Sequence, residues 1–221
     1  MNPRRILLTS ALAMLLAQTA HAELFFDSVT GQTTQGADGY GDGVLWAADS
    51  FTAPNAGTFV VQLLLSAGTP SDGGSFGVYL VPDDGTGAGT GAAGAPNANF
   101  VNGNYSDSQL IATVADSSLS ATESLTTLAV TSSITTSNNE YWIGLVTNAG
   151  SSVEWSWNNA SGFPGSANQN VAYDIGAGAV VGGDDASGPY ALSVQAPEPA
   201  ALALLGSGLF GLGFFRRRRV G

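Results

Sequence analysis

The sequence predicts an all-β protein, an antiparallel two-sheet sandwich of jelly-roll type. Three observations predict it. The middle of the chain is dominated by Val, Thr, Ser, Ile and aromatic residues, and no long stretch there has helical spacing. Short apolar runs alternate at period two, as in Phe76, Val78 and Leu80 or Tyr141, Ile143 and Leu145. Glycine-rich turns punctuate these runs at short intervals. The chain has 221 residues, enough for one domain with tails. It contains 30 Gly, 9 Pro and no Cys, so neither disulfides nor thiolate chemistry is available to it.

The elements follow in order. Residues 1–22 have the layout of a secretory signal peptide. Arg4 and Arg5 form its charged start and Ile6 to Ala17 its apolar run. Ala20-His21-Ala22 is a small-x-small cleavage site, with Glu23 as the first mature residue. Strands are expected at Leu24–Val29, Val44–Thr52, Thr58–Ser66, Ser75–Val81 and Gln109–Ala115. Others are expected at Leu125–Thr131, Glu140–Thr147, Ser152–Asn158, Val171–Asp174 and Tyr190–Gln195. Residues 82–104 are Gly, Ala, Asn and Thr with little to bury, and read as a long surface loop. The exported domain therefore spans residues 23–196. A tail at 197–221 closes the chain. Its apolar run from Ala200 to Phe215 would be about 24 Å long as a helix, long enough to reach most of the way across a bilayer with help from its flanks. Arg216, Arg217, Arg218 and Arg219 then act as a stop-transfer cluster that stays cytoplasmic. A signal helix and a transmembrane helix thus flank the sandwich.

Charge is distributed unevenly. Every basic residue is an arginine in one of the two ends, and His21 is the only histidine. Of 17 acids, all but Glu198 lie between Glu23 and Ala196, a stretch with no Lys, Arg or His. Nucleic-acid binding is excluded on that ground, because nothing there can displace counterions from phosphates. Triads with a histidine or lysine base are excluded as well. The expectation is a protein that is not an enzyme and needs no cofactor.

The tail resembles the PEP-CTERM sorting signal of Gram-negative, exopolysaccharide-producing bacteria. Pro197, Glu198 and Pro199 form the motif, and a Gly- and Leu-rich helix and the arginine cluster follow in the family's order. The resemblance implies export across the inner membrane with the help of signal peptidase and transient anchoring in that membrane. It then implies recognition of Pro197-Glu198-Pro199 by an exosortase and delivery to the cell surface or extracellular matrix. The body is similar to choice-of-anchor β-sandwich domains. That likeness rests on Ala47-Ala48-Asp49-Ser50-Phe51-Thr52, Gly77-Val78-Tyr79-Leu80, Leu110 to Val114, and Tyr141-Trp142-Ile143-Gly144-Leu145. The function this implies is an envelope or matrix protein associated with exopolysaccharide and biofilm.

Candidate ligands complete the reading. Asp38 and Asp42 in an Asp-Gly-rich turn, with Asp83 and Asp84, are hard oxygen donors that suit Ca²⁺, although they lack EF-hand spacing. Solvated turns are the plainer reading of both pairs. Trp155 and Trp157 share a strand face and are candidates for stacking on a sugar ring, against core packing as the alternative. Glu154, between them, is the best single carboxylate for acid–base work. A carbohydrate-binding module for the cell's own polysaccharide is the second reading. An ice-binding protein is a remote third, because Thr126-Thr127 and Thr135-Thr136 form no repeat.

Overall fold

The structure, a computed structural model, describes residues 22–30, 33–40, 46–53, 57–68, 73–84, 96–136, 139–148, 150–158, 171–174, 179–182 and 189–197. Of residues 38, 40, 171–174 and 179–182 it describes the backbone alone. The expected signal helix and the expected transmembrane helix at 200–215 lie outside the described residues. Among the described residues no helix is long and apolar enough to cross a membrane. Leu24–Ala196 forms one compact unit.

Among the described residues twelve strands build two antiparallel sheets. They are β1 (Leu24–Asp27), β2 (Gly36–Tyr40), β3 (Trp46–Thr52), β4 (Thr58–Ala67), β5 (Ser75–Pro82) and β6 (Gln109–Ala115). Then come β7 (Ser124–Thr131), β8 (Glu140–Thr147), β9 (Val153–Trp157), β10 (Val171–Asp174), β11 (Ala179–Gly182) and β12 (Leu192–Gln195). The first sheet runs β1-β12-β4-β9-β2, with β7 on the other edge of β4. The second runs β11-β10-β3-β8-β5-β6.

Four antiparallel pairs define the topology: β1 with β12, β3 with β8, β4 with β7, and β5 with β6. They nest outward from the β5–β6 hairpin, so the chain is one long hairpin rolled up on itself. That is a jelly roll. Strands β2, β9, β10 and β11 are additions that widen the two sheets.

The sandwich interior is filled by alternate residues of both sheets. Phe76, Val78 and Leu80 of β5, Tyr141, Ile143 and Leu145 of β8, and Val61, Leu63 and Leu65 of β4 are all buried there. Trp155, Leu192 and Val194 complete it from β9 and β12. Here the period-two reading of the sequence and the observed faces coincide.

A second cluster lies on the outer side of the second sheet. It joins Trp46, Ala48, Val81, Trp142 and Val146 to Phe100. Phe100 belongs to α1 (Ala98–Val101), a single turn opened by Asn97, whose side chain accepts from Asn99 N at 2.8 Å. The expectation of a bare surface loop over 82–104 is therefore corrected at its C-terminal end. Phe100 is fully buried and meets Trp46 edge-on at 5.3 Å and Tyr105 at 5.2 Å. Burial of one large aromatic is enough to seat a segment whose other residues have little to bury. Gly144 makes room for it, since a Cβ there would come within 2.5 Å of the Phe100 ring.

Two strands depart from the sequence expectation. Gly36–Tyr40 was expected to be partly a metal-binding turn but is strand β2, paired to β9 from Gly36↔Trp157 to Tyr40↔Val153. Ala179–Gly182 was not expected and pairs with β10. β2, Gly-Ala-Asp-Gly-Tyr, has a weak local β signal, and its long-range pairing decides it. At the last strand, expected from Tyr190, the ladder begins at Leu192, and Tyr190 forms an isolated bridge to Trp157.

Candidate functional site

The sequence-selected tryptophans divide. Trp142 lies on β8 in the second sheet, whereas Trp155 and Trp157 lie on β9 in the first. Trp155 is 0% exposed, stacks on Tyr190 at 4.5 Å and donates Nε1–H to the Ala191 carbonyl at 3.2 Å. A ring buried on both faces offers nothing to a sugar, so the candidate role of Trp155 as a stacking platform is withdrawn. Trp157 is half-buried. Its indole lies over Gly36 so closely that a Cβ there would come within 2.7 Å.

Of the sequence-selected acids, Asp38 and the pair Asp83 and Asp84 belong to different sheets. Asp38 lies on β2 in the first sheet, in register with Trp155, and Asp42 is outside the described residues. Asp83 and Asp84 follow β5 in the second sheet. Asp38 is thus in a strand rather than a turn. Asp83 is not a solvated turn residue either. It is 8% exposed, and its Oδ2 accepts from Trp142 Nε1 at 3.0 Å. Among the described residues no three acids or histidines gather as a metal-binding group.

Hydroxyls and main-chain amides serve the carboxylates where other proteins use cations. Asp116, 1% exposed, accepts from Ser151 Oγ and Ser152 N, each at 2.9 Å. Asp27 accepts from the amides of Val29 and Thr30 at 2.9 Å. Glu123 accepts from Ser156 Oγ at 2.8 Å and Thr34 Oγ1 at 3.0 Å. Glu154 accepts from Ser66 Oγ at 3.0 Å. Glu154 is therefore tied into the outer surface of the first sheet. Hydrogen bonds to the ionised form are the stronger kind, and they make burial of a carboxylate tolerable.

The site that sequence reasoning missed is an open cleft of about 670 Å³ at one end of the second sheet. Pro82 and Asp83 supply one wall from the end of β5. Asn97 and the run Ser106 to Gln109 supply another, held by α1 and the turn after it. Ser133, Ile134, Thr135 and Thr136, between β7 and β8, close the third side. Gln109 fixes that third wall. Its Nε2 donates to the Thr131 carbonyl at 2.8 Å, and its Oε1 accepts from Ser133 N at 2.8 Å. Asp107 accepts from Asn99 Nδ2 and Ser106 Oγ. The lining is hydroxyl, amide and carboxylate, with Pro82 and Ile134 as its apolar members. Three separate segments converge on it.

The fold and site define an acidic jelly-roll body with a polar cleft and no cationic side chain between Glu23 and Ala196. Compared with known families, the chain matches the PEP-CTERM protein-sorting motif over residues 195–219. No protein of curated function matches it. The chain thus carries the sorting motif of exosortase substrates, which marks it for export and transient membrane anchoring. Of that motif the structure describes Gln195, Ala196 and the exposed Pro197. Glu198, Pro199 and the arginine cluster lie outside the described residues, as does Ala20 of the signal cleavage site. Ala22 and Glu23 are described immediately before β1.

Proposed function

We propose that this protein is a non-enzymatic component of the cell envelope or extracellular matrix, displayed after sorting and associated with the exopolysaccharide of a biofilm. The observation that carries the reading is the sorting motif at 195–219 attached to a body without Lys, Arg or His. Such a body lacks the commonest general bases and any cationic group to clamp an anionic substrate. The test is to express the chain in strains with and without an exosortase, then follow its mass and its location. Loss of the tail and appearance in the matrix only with the exosortase supports the reading. Tail retention in the membrane of both strains contradicts it.

The cleft favours a second reading, a binding module for polysaccharide. Its hydroxyl and amide lining suits a polyol, and Asp83 and Asp107 are acceptors for sugar hydroxyls. The same charge sets the class of glycan. A neutral chain can enter, whereas an anionic one is repelled unless divalent cations accompany it. Affinity electrophoresis in neutral and acidic glycans separates the cases. Retardation by the neutral glycan that is lost in Asp107→Ala supports the cleft as the site.

A further inference from the structure

We propose that the free edge of β7 pairs with β7 of a second copy of this chain, joining two jelly rolls through one continuous sheet. Among the described residues strand β7 pairs with β4 alone, in unbroken register from Thr58↔Thr131 to Leu65↔Ser124. The direction of its remaining groups is fixed by two bonds. Ser132 N donates to the Gly57 carbonyl of the β4 side at 2.8 Å. The Thr131 carbonyl instead receives Gln109 Nε2, which comes from the other sheet. Main-chain groups alternate in direction along a strand, so Leu125, Thr127 and Ala129 point theirs away from β4. Gln109 closes this edge at Thr131, and among the described residues no strand pairs with the stretch from Leu125 to Ala129 on this side.

Such edges are ordinarily blunted by lysine, proline, a bulge or shortness. The other strands that end a sheet show those devices. β6 carries a register shift opposite Val78 and Tyr79, and β1 has four residues and an irregular register. β11 has four residues, and β2 has five with the charged Asp38 among them. β7 has eight residues, no charge, no proline and no bulge.

The occupant follows from self-complementarity. With a two-fold axis at Thr127, antiparallel pairing sets Thr127 against its own copy and Leu125 against Ala129. Leu125 is 51% exposed, and the small Ala129 leaves room beside it for such a side chain. All three pairs exchange main-chain hydrogen bonds in this register, because all six residues point their groups across the axis. Charge selects the same surface. A second copy is repelled by the sixteen acids of the body, but β7 and its neighbour β4 carry none. Glu123, at the start of β7, is held by Ser156 and Thr34 on the far side of β4.

The test is sedimentation equilibrium on the exported protein, with circular dichroism to verify folding. The unaltered protein is expected to dimerise with concentration, and more tightly as salt screens the acidic bodies. Thr127→Asp sets two carboxylates face to face and should weaken the dimer about tenfold or more. Thr113→Asp, on the other long edge, should leave it unchanged. Leu125→Ala alone and Ala129→Leu alone should each weaken it, and the double exchange should restore it by inverting the same size match. A monomer at every soluble concentration overturns the proposal. So does a dimer that survives Thr127→Asp, or a double exchange no tighter than either single variant.

Discussion

Trp155 is enclosed by Tyr190 and the β12 side of the core, and its indole N–H is satisfied by Ala191. Trp155→Ala should therefore lower unfolding free energy by about 3–5 kcal/mol in urea titration, whereas the half-buried Trp157→Ala should cost distinctly less. Equal losses would show that the two rings do not differ in environment. Asp116→Ala should cost about 1–3 kcal/mol, because it strands the buried Ser151 hydroxyl and the Ser152 amide. The shared face of Val153, Trp155 and Trp157 was legible as two-residue spacing. The partners of the carboxylates were not. Asp83 meets Trp142 and Asp116 meets Ser151 across large sequence gaps, so a stretch that looks like a solvated turn by composition hides a buried acceptor.

The segment carrying α1 lies over the outer face of β8 through Phe100, and Gly144 is the complementary gap. Phe100→Ala should remove the cover from Trp46 and Trp142 and shift tryptophan emission to the red, while far-ultraviolet circular dichroism keeps its β signature. Gly144→Ala should act at the same place from the other side, costing about 1–3 kcal/mol by overpacking. An unchanged emission maximum in both variants would show that the segment does not cover the indoles. Most strands were legible, and Gln109–Ala115, Glu140–Thr147 and Val171–Asp174 have the expected bounds. Strands such as β8 announce themselves through Tyr, Trp, Ile, Leu and Val. β2, written Gly-Ala-Asp-Gly-Tyr, does not, because its extended form is imposed by β9. The cleft was equally illegible, since its walls come from three segments that the rolled hairpin brings together.

Among the described residues Asp27, Asp116, Glu123 and Glu154 rest on hydroxyls and amides, and the candidate calcium ligands Asp38 and Asp83 belong to different sheets. Divalent cations should therefore act by screening, with Ca²⁺ and Mg²⁺ raising the thermal midpoint equally at matched concentration. A rise specific to Ca²⁺ would reveal an ordered site instead. The jelly-roll architecture was legible in strand number and turn spacing. Its pairing order was not, because no local pattern links Leu24 to Gln195. That pairing has a mechanical consequence. With Leu24 opposite Gln195, both ends of the body emerge beside each other. Strand β12 is clamped along its length by β1 and β4. A pull on Gln195 along the axis of β12 loads that ladder in shear, where several hydrogen bonds must yield together, rather than peeling them one by one. The jelly roll is thereby suited to hang from a single tethered corner.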